Sequence, residues 1–180
     1  LLAAKTILSK KVAFLTGGPG TGKTHTIKSL LNFFDAMNKK RKESGDVTLS
    51  YTLCAPTGRA AKRMNESTGR ESSTIHSLLG FSPEGGFTFN SQDKMSYDIL
   101  IVDESSMIDI WITASLLRAV KDDAIVIFVG DADQLKSVGP GKVFQDLMSC
   151  GLFAVARLQE IHRQARNSQI ILAAQEEARQ

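Results

Sequence analysis

Gly17 and Gly22, followed by Lys23 and Thr24, match the pattern G-x-x-x-x-G-K-[ST] inside the stretch LTGGPGTGKTHTI. Residues of these types at this spacing can hold a polyphosphate. Gly17, Gly18, Gly20 and Gly22 free the backbone for dihedrals denied to other residues, so that successive N–H groups, with Pro19 and Thr21 between them, can point at one anion. A helix that opens at Lys23 and runs on through His25 adds the positive end of its dipole. In this pattern the Lys23 ammonium reaches the β- and γ-phosphates and the Thr24 hydroxyl is a ligand for Mg²⁺. The expected ligand is a nucleoside triphosphate, because an apolar run precedes the loop and an amphipathic one follows it.

A second group of chemically capable residues lies downstream. The run DILIVDESS puts Asp103 and Glu104 where a buried strand ends, and ligands of open α/β sheets bind beyond the carboxyl ends of strands. Adjacent acids can divide the labour, Asp103 holding Mg²⁺ and Glu104 orienting and deprotonating an attacking water. Either carboxylate alone also suits a helix N-cap. An acid beside the magnesium aspartate favours hydrolysis over transfer to a small-molecule acceptor. The stretch VGDADQL brings Gly130, Asp131 and Gln134 to the same sheet edge, where a neutral amide at Gln134 can sense the γ-phosphate.

Those loops need a scaffold. Apolar runs predict strands over Val12–Leu15, Val47–Ala55, Asp98–Val102, Ala124–Val129 and Ala154–Leu158, with helices over Lys23–Met37, Gly58–Glu66, Ile75–Leu79, Ile108–Val120 and Lys142–Met148. Strand and helix alternating in this way predict an α/β fold, a parallel sheet with helices on both faces. In the fourth helix Ile110, Trp111, Ala114, Leu117 and Val120 recur at helical spacing, which predicts that this stripe, Trp111 included, packs on the sheet. The segment FSPEGGFTFN predicts a short hairpin, and KKRK at Lys39–Lys42 a solvated loop after the first helix.

The composition agrees with one globular domain. The chain has 180 residues, 42% of them hydrophobic, and a net charge of +3 that is compatible with an anionic partner without requiring one. Cys54 and Cys150 stand far apart with no metal-ligand spacing, which predicts two reduced packing cysteines and a cytoplasmic location. No apolar run has the length of a membrane span, and no membrane association is expected. The absent initial Met and the final SQIILAAQEEARQ, which stops in mid-helical pattern, predict a fragment of a longer protein.

Taken in order, the motifs resemble those of superfamily 1 helicases, most closely the RecD-like branch. GGPGTGKT resembles motif I, CAPTGRAAKRM motif Ia, STIHSLLG the DNA-side motif that follows, IVDESSMID motif II, VGDADQLKSVGPG motif III and RLQEIHRQA motif IV. The resemblance covers nearly the whole chain and implies that residues 1–180 form a single RecA-like P-loop ATPase domain, the first motor domain of a DNA helicase. It implies ATP and Mg²⁺ as cofactors, single-stranded DNA and a second motor domain as partners, with RecB/RecC-type subunits as further ones, 5′ to 3′ translocation, and a role in DNA repair and recombination. By position it makes Lys23, Glu104, Gln134 and Arg163 the catalytic set, Arg163 contacting the γ-phosphate, and lays Thr57, Gly58, Arg59 and His76 against DNA. Lys136, Gln159 and His162 depart from the family pattern. No aromatic platform is expected near the DNA-side residues, since Phe81, Phe87 and Phe89 suit a core, so the contact should be to the phosphate backbone. Without its second domain the chain should turn over slowly and should not unwind DNA. An ATP-dependent switch or loader gating a protein partner is the competing reading; a small-molecule kinase lacks a basic lid and an acceptor pocket.

Overall fold

The computed structural model describes residues 2–134 and 139–158. Among them the chain runs α1 (Leu2–Ile7), β1 (Val12–Thr16), α2 (Lys23–Glu43), β2 (Tyr51–Ala55), α3 (Gly58–Thr68), β3 (Ser73–Thr74), α4 (Ile75–Leu78), β4 (Phe81–Ser82), β5 (Gly86–Phe87), β6 (Ile99–Val102), a 3₁₀ turn (Ser105–Met107), α5 (Ile110–Ala119), β7 (Ile125–Gly130), α6 (Val143–Ser149) and β8 (Ala154–Arg157). Six strands form one sheet in the order β3-β2-β6-β7-β1-β8. Every neighbouring pair is parallel. β4 and β5 form a separate antiparallel hairpin, as the FSPEGGF segment predicts.

The period-two alternation of the strands builds two cores, one on each face of the sheet. Phe14, Cys54, Leu100, Val102, Val126 and Phe128 pack with Ile75 of α4, Leu116 of α5 and Phe144 of α6. Ala13, Leu15, Leu53, Ile99, Ile101, Ile127 and Val129 pack with Ile7 of α1, Leu30 and Phe34 of α2 and Met64 of α3. Phe14 stacks on Phe128 with ring centroids 5.3 Å apart, joining neighbouring central strands.

Several local expectations are corrected. Lys39–Lys42 does not form a loop but belongs to the last turns of α2, where cations favour the negative end of the helix dipole. The residues after it are held by side chains: Asn38 both accepts from the Leu49 N–H and donates to the Leu49 carbonyl, at 2.8 and 2.7 Å. That pairing occupies Leu49's backbone, so β2 begins at Tyr51 rather than Val47. In α5 the buried positions are Thr113, Leu116 and Ala119, whereas Ile110, Trp111 and Leu117 are exposed. Thr113 lies inside because its hydroxyl donates to the Asp109 carbonyl at 2.7 Å, which removes the penalty of burying it. Cys54 is buried, and burial pushes its thiol up, but Cys150 is exposed at the end of α6 rather than packed. The helix α1 carries no expectation from the sequence, yet Ile7 on it is fully buried against β1 and β8.

Candidate nucleotide and nucleic-acid site

The parallel register brings the ends of β1, β7, β6 and β2 to one edge of the sheet. Thr16 pairs with Gly130, and Val102 with both Phe128 and Cys54, so the segments that leave these strands start side by side.

At the end of β1 the chain enters the glycine-rich loop. Gly22 caps α2 with φ 95, a left-handed value that excludes most side chains. Gly17 is needed for a different reason, since a Cβ there would lie 2.8 Å from the Leu158 carbonyl and 2.6 Å from Thr21 Oγ1. Gly18 has neither constraint: its φ is not left-handed and its nearest contact would be Thr21 Cγ2 at 3.9 Å. The dihedral argument therefore holds for Gly20 and Gly22, not for all four glycines. Lys23 Nζ donates to the carbonyls of Gly17 and Gly18 at 2.5 and 3.0 Å, so the ammonium folds back over the loop. Thr21 braces the same turn by donating to the Gly18 carbonyl at 2.8 Å. Thr24 and His25 are exposed at the first turn of α2, and Pro19 is exposed at the tip of the loop.

Asp103 and Glu104 leave β6 at the same sheet edge, with β7 between that strand and β1. Asp103 is held through its N–H, which donates to the Cys54 carbonyl at 2.9 Å. Burial raises the Asp103 carboxyl above its usual range and the neighbouring Glu104 charge adds to the rise, while the Glu104 N–H and the Lys23 ammonium pull it back. The Lys23 charge, the smallest of these influences, still reaches Asp103 across the sheet edge. Glu104 has φ 51, the one non-glycine residue with positive φ among the described residues. It occupies the N-cap position of the 3₁₀ turn but makes no side-chain cap bond, so the plain capping role open to it in sequence is not the one it adopts.

A hard cation fits this donor set. Thr24 offers an exposed hydroxyl and Asp103 a largely buried carboxylate whose charge burial disfavours, both oxygen ligands of the kind Mg²⁺ takes. Gln134 stands in the exposed turn after β7, its N–H donating to the Asp131 carbonyl at 3.3 Å. Sequence reasoning overlooked Thr16, whose buried hydroxyl accepts the Ala132 N–H at 3.1 Å and ties the β1 end to this turn. Its only signal was a hydroxyl residue closing an apolar run. Arg163 lies outside the described residues, as do Lys136, Gln159 and His162.

The residues expected to face DNA lie further along the same edge. Thr57 caps α3, its hydroxyl accepting the Ala60 N–H at 3.2 Å, and Gly58 and Arg59 are exposed in the first turn. β3 pairs with the end of β2, Ala55 opposite Thr74, which sets His76 of α4 beside them. His76 is not isolated: its ring meets Phe81 edge-on at 5.5 Å and Phe87 at 5.8 Å. Phe81 is 51% exposed, so the expectation that this region lacks an aromatic surface is wrong. The hairpin turns Phe81 and Phe87 toward each other, and no sequence pattern indicated that His76 would join them.

A parallel six-stranded sheet with a glycine-rich loop after β1 and an acidic pair after β6 defines the P-loop, RecA-like class. The AAA domain family model matches residues 1–140, and the chain belongs to that family. It is 42% identical over 164 residues to the ATP-dependent RecD2 DNA helicase of Deinococcus radiodurans, covering 91% of this chain and 21% of that protein. To the RecBCD enzyme subunit RecD of Mycolicibacterium smegmatis it is 37% identical over 180 residues, covering 89% and 32%. The chain thus spans between about a fifth and a third of these relatives. Among solved structures, the Pif1 helicase from Candida albicans superposes with a TM-score of 0.61 at 24% identity, covering 94% of this chain and 41% of that one, which supports the fold. No helix among the described residues is long and apolar enough to cross a membrane.

Proposed function

We propose that residues 1–180 form the first ATP-binding and hydrolysing motor domain of a RecD-like DNA helicase that moves 5′ to 3′ on single-stranded DNA in repair and recombination. The observation that carries this reading is that two chemistries lie on one sheet edge: Lys23 after β1 and Asp103 after β6, close enough for the ammonium to act on the carboxyl, and Thr57, Arg59 and His76 after β2 and β3, the strands next to β6. Residues 17–25 cradle the triphosphate, and the Lys23 ammonium exchanges its loop carbonyls for phosphate oxygens. Thr24 and Asp103 hold Mg²⁺, which when bound neutralises charge on the phosphates. Glu104 orients and deprotonates the attacking water. Gln134 senses the γ-phosphate, and Arg163 contacts it. Thr57, Gly58, Arg59 and His76 meet the strand. A second motor domain of the same parent chain completes the ATP site, and RecB/RecC-type subunits are partners of the parent protein, which works in the cytoplasm.

The test is ATP hydrolysis by the longer parent chain with and without single-stranded DNA. DNA should stimulate the rate, Glu104→Gln should lower it at least about a hundredfold while leaving nucleotide binding intact, and Lys23→Ala should weaken binding itself. Hydrolysis that ignores DNA would sink the motor reading. Activity surviving Glu104→Gln would remove Glu104 as the base.

A further inference from the structure

The turn that carries Gln134, residues 131–134, belongs to no helix or strand. It leaves β7 at Gly130 and closes on the buried Asp131, whose carboxylate accepts the Asp133 N–H at 3.0 Å and whose carbonyl accepts the Gln134 N–H at 3.3 Å. These bonds give the turn its shape and leave its place to be set from outside. Ala132 sets it, because side chains of two other elements take both of its polar backbone groups. Its N–H donates to Thr16 Oγ1 at 3.1 Å, and its carbonyl accepts from Gln145 Nε2 of α6 at 3.1 Å.

Of these two side chains, Thr16 is the one joined to the phosphate loop. It is the last residue of β1 and 3% exposed, and Gly17 follows it directly. Val12 to Leu15 before it are apolar, and a hydroxyl buried at the end of such a run is costly unless it is bonded. Its carbonyl accepts the Leu158 N–H at 2.7 Å, so main chain and side chain are both held. In the ladder Thr16 lies opposite Gly130, where an added Cβ would come within 3.0 Å of Ser106 N and of the Phe144 ring. The end of β7 is therefore packed closely against the turn that follows Glu104 and against α6, and one buried hydroxyl links the origin of the phosphate loop to the segment bearing Gln134.

We propose that Thr16 is a positioning residue for hydrolysis: by holding the Ala132 N–H it sets where the Gln134 amide stands relative to the phosphate loop. This role rests on the ATPase reading given above and assigns Thr16 no contact with nucleotide or metal. A misplacement of about 1 Å costs up to about a hundredfold in rate. The loss should fall on turnover and spare the binding of a nucleotide that has no γ-phosphate.

The experiment follows ATP hydrolysis by the parent chain in the presence of single-stranded DNA, and binding of a fluorescent ADP, for Thr16→Val, Thr16→Ser, Gln134→Ala and the variant carrying both Thr16→Val and Gln134→Ala. Thr16→Val keeps the shape of the side chain and leaves the Ala132 N–H unpaired. It should lower kcat about tenfold or more, with KM and ADP affinity held within about twofold. Thr16→Ser keeps the acceptor and should turn over at close to the native rate. In the Gln134→Ala background Thr16→Val should cost nothing further, because groups that act as a unit are not additive. A native kcat in Thr16→Val, independent losses in the double variant, or Thr16→Ser as slow as Thr16→Val overturns the positioning role and leaves the ATPase reading standing. A Thr16→Val chain that no longer binds ADP overturns it too, since the hydroxyl then serves the fold. Absence of ATP hydrolysis by the native parent overturns both together.

Discussion

Glu104 holds a conformation that its side chain makes costly. Its φ of 51 lies in the left-handed region, where a non-glycine residue gives up about 1–2 kcal/mol. The chain reaches that conformation because the turn from β6 into Ser105–Met107 is closed within itself, Met107 N–H donating to the Glu104 carbonyl at 3.0 Å and the Ser105 hydroxyl to the Val102 carbonyl at 2.7 Å. Glycine would remove the strain but lose more entropy on folding, so Glu104→Gly should be more stable than the native chain by about 0.5–1 kcal/mol. Chemical denaturation would show this as a higher midpoint at unchanged slope. Hydrolysis should fall at least as far as in Glu104→Gln. A stability loss in Glu104→Gly would mean that the side chain makes a compensating contact and that the turn is not strained.

At the scale of elements, the far edge of the sheet is fastened by Asp98, just before β6. Ser50 donates to its carboxylate through N–H and hydroxyl at 2.6 and 2.8 Å, and Lys121 donates at 2.5 Å from the end of α5. The Lys121 ammonium first, then the Ser50 N–H, holds the Asp98 carboxyl down at about 2, from an ordinary value of 3.8. A depressed folded value stabilises the fold above the ordinary one and is lost as pH falls between the two. The chain should therefore lose on the order of 1–2 kcal/mol between about pH 4 and pH 2 through this group. Asp98→Asn should be less stable at neutral pH and should lose less on acidification, as read from denaturation midpoints across that range. An unchanged acid profile in Asp98→Asn would assign the transition to another carboxylate.

Over the whole molecule, the residues proposed to hold nucleotide and those proposed to meet the strand are linked through backbone. The Asp103 N–H donates to the Cys54 carbonyl, and Cys54 lies three residues before the Thr57 cap of α3. If ligand binding shifts Asp103, this hydrogen bond carries the shift to the strand that leads into that cap. Nucleotide and single-stranded DNA should accordingly change each other's affinity by the same factor, about 5- to 150-fold. Titrating each ligand in the presence and absence of the other in the parent protein measures both factors. A factor of one would show that the two sites, although neighbours, are energetically separate.

Much of this could be read from residues alone, and the reason is locality. The G-x-x-x-x-G-K-[ST] loop, the alternation of strand and helix and the acidic pair after β6 are each written in a contiguous stretch, so spacing and period suffice to locate them. Tertiary structure decided what depends on contacts between distant segments. Asn38 engages Leu49 and shortens β2; Thr113 enters the core because Asp109 satisfies it; Trp111 consequently turns outward. The ring contacts of His76 with Phe81 and Phe87, and the cavity that His76 and Phe87 line together with Trp111, belong to the same class. Those residues come from α4, the β4–β5 hairpin and α5, whose local patterns are unrelated, and only the packing of these segments in the tertiary structure brings them to one place.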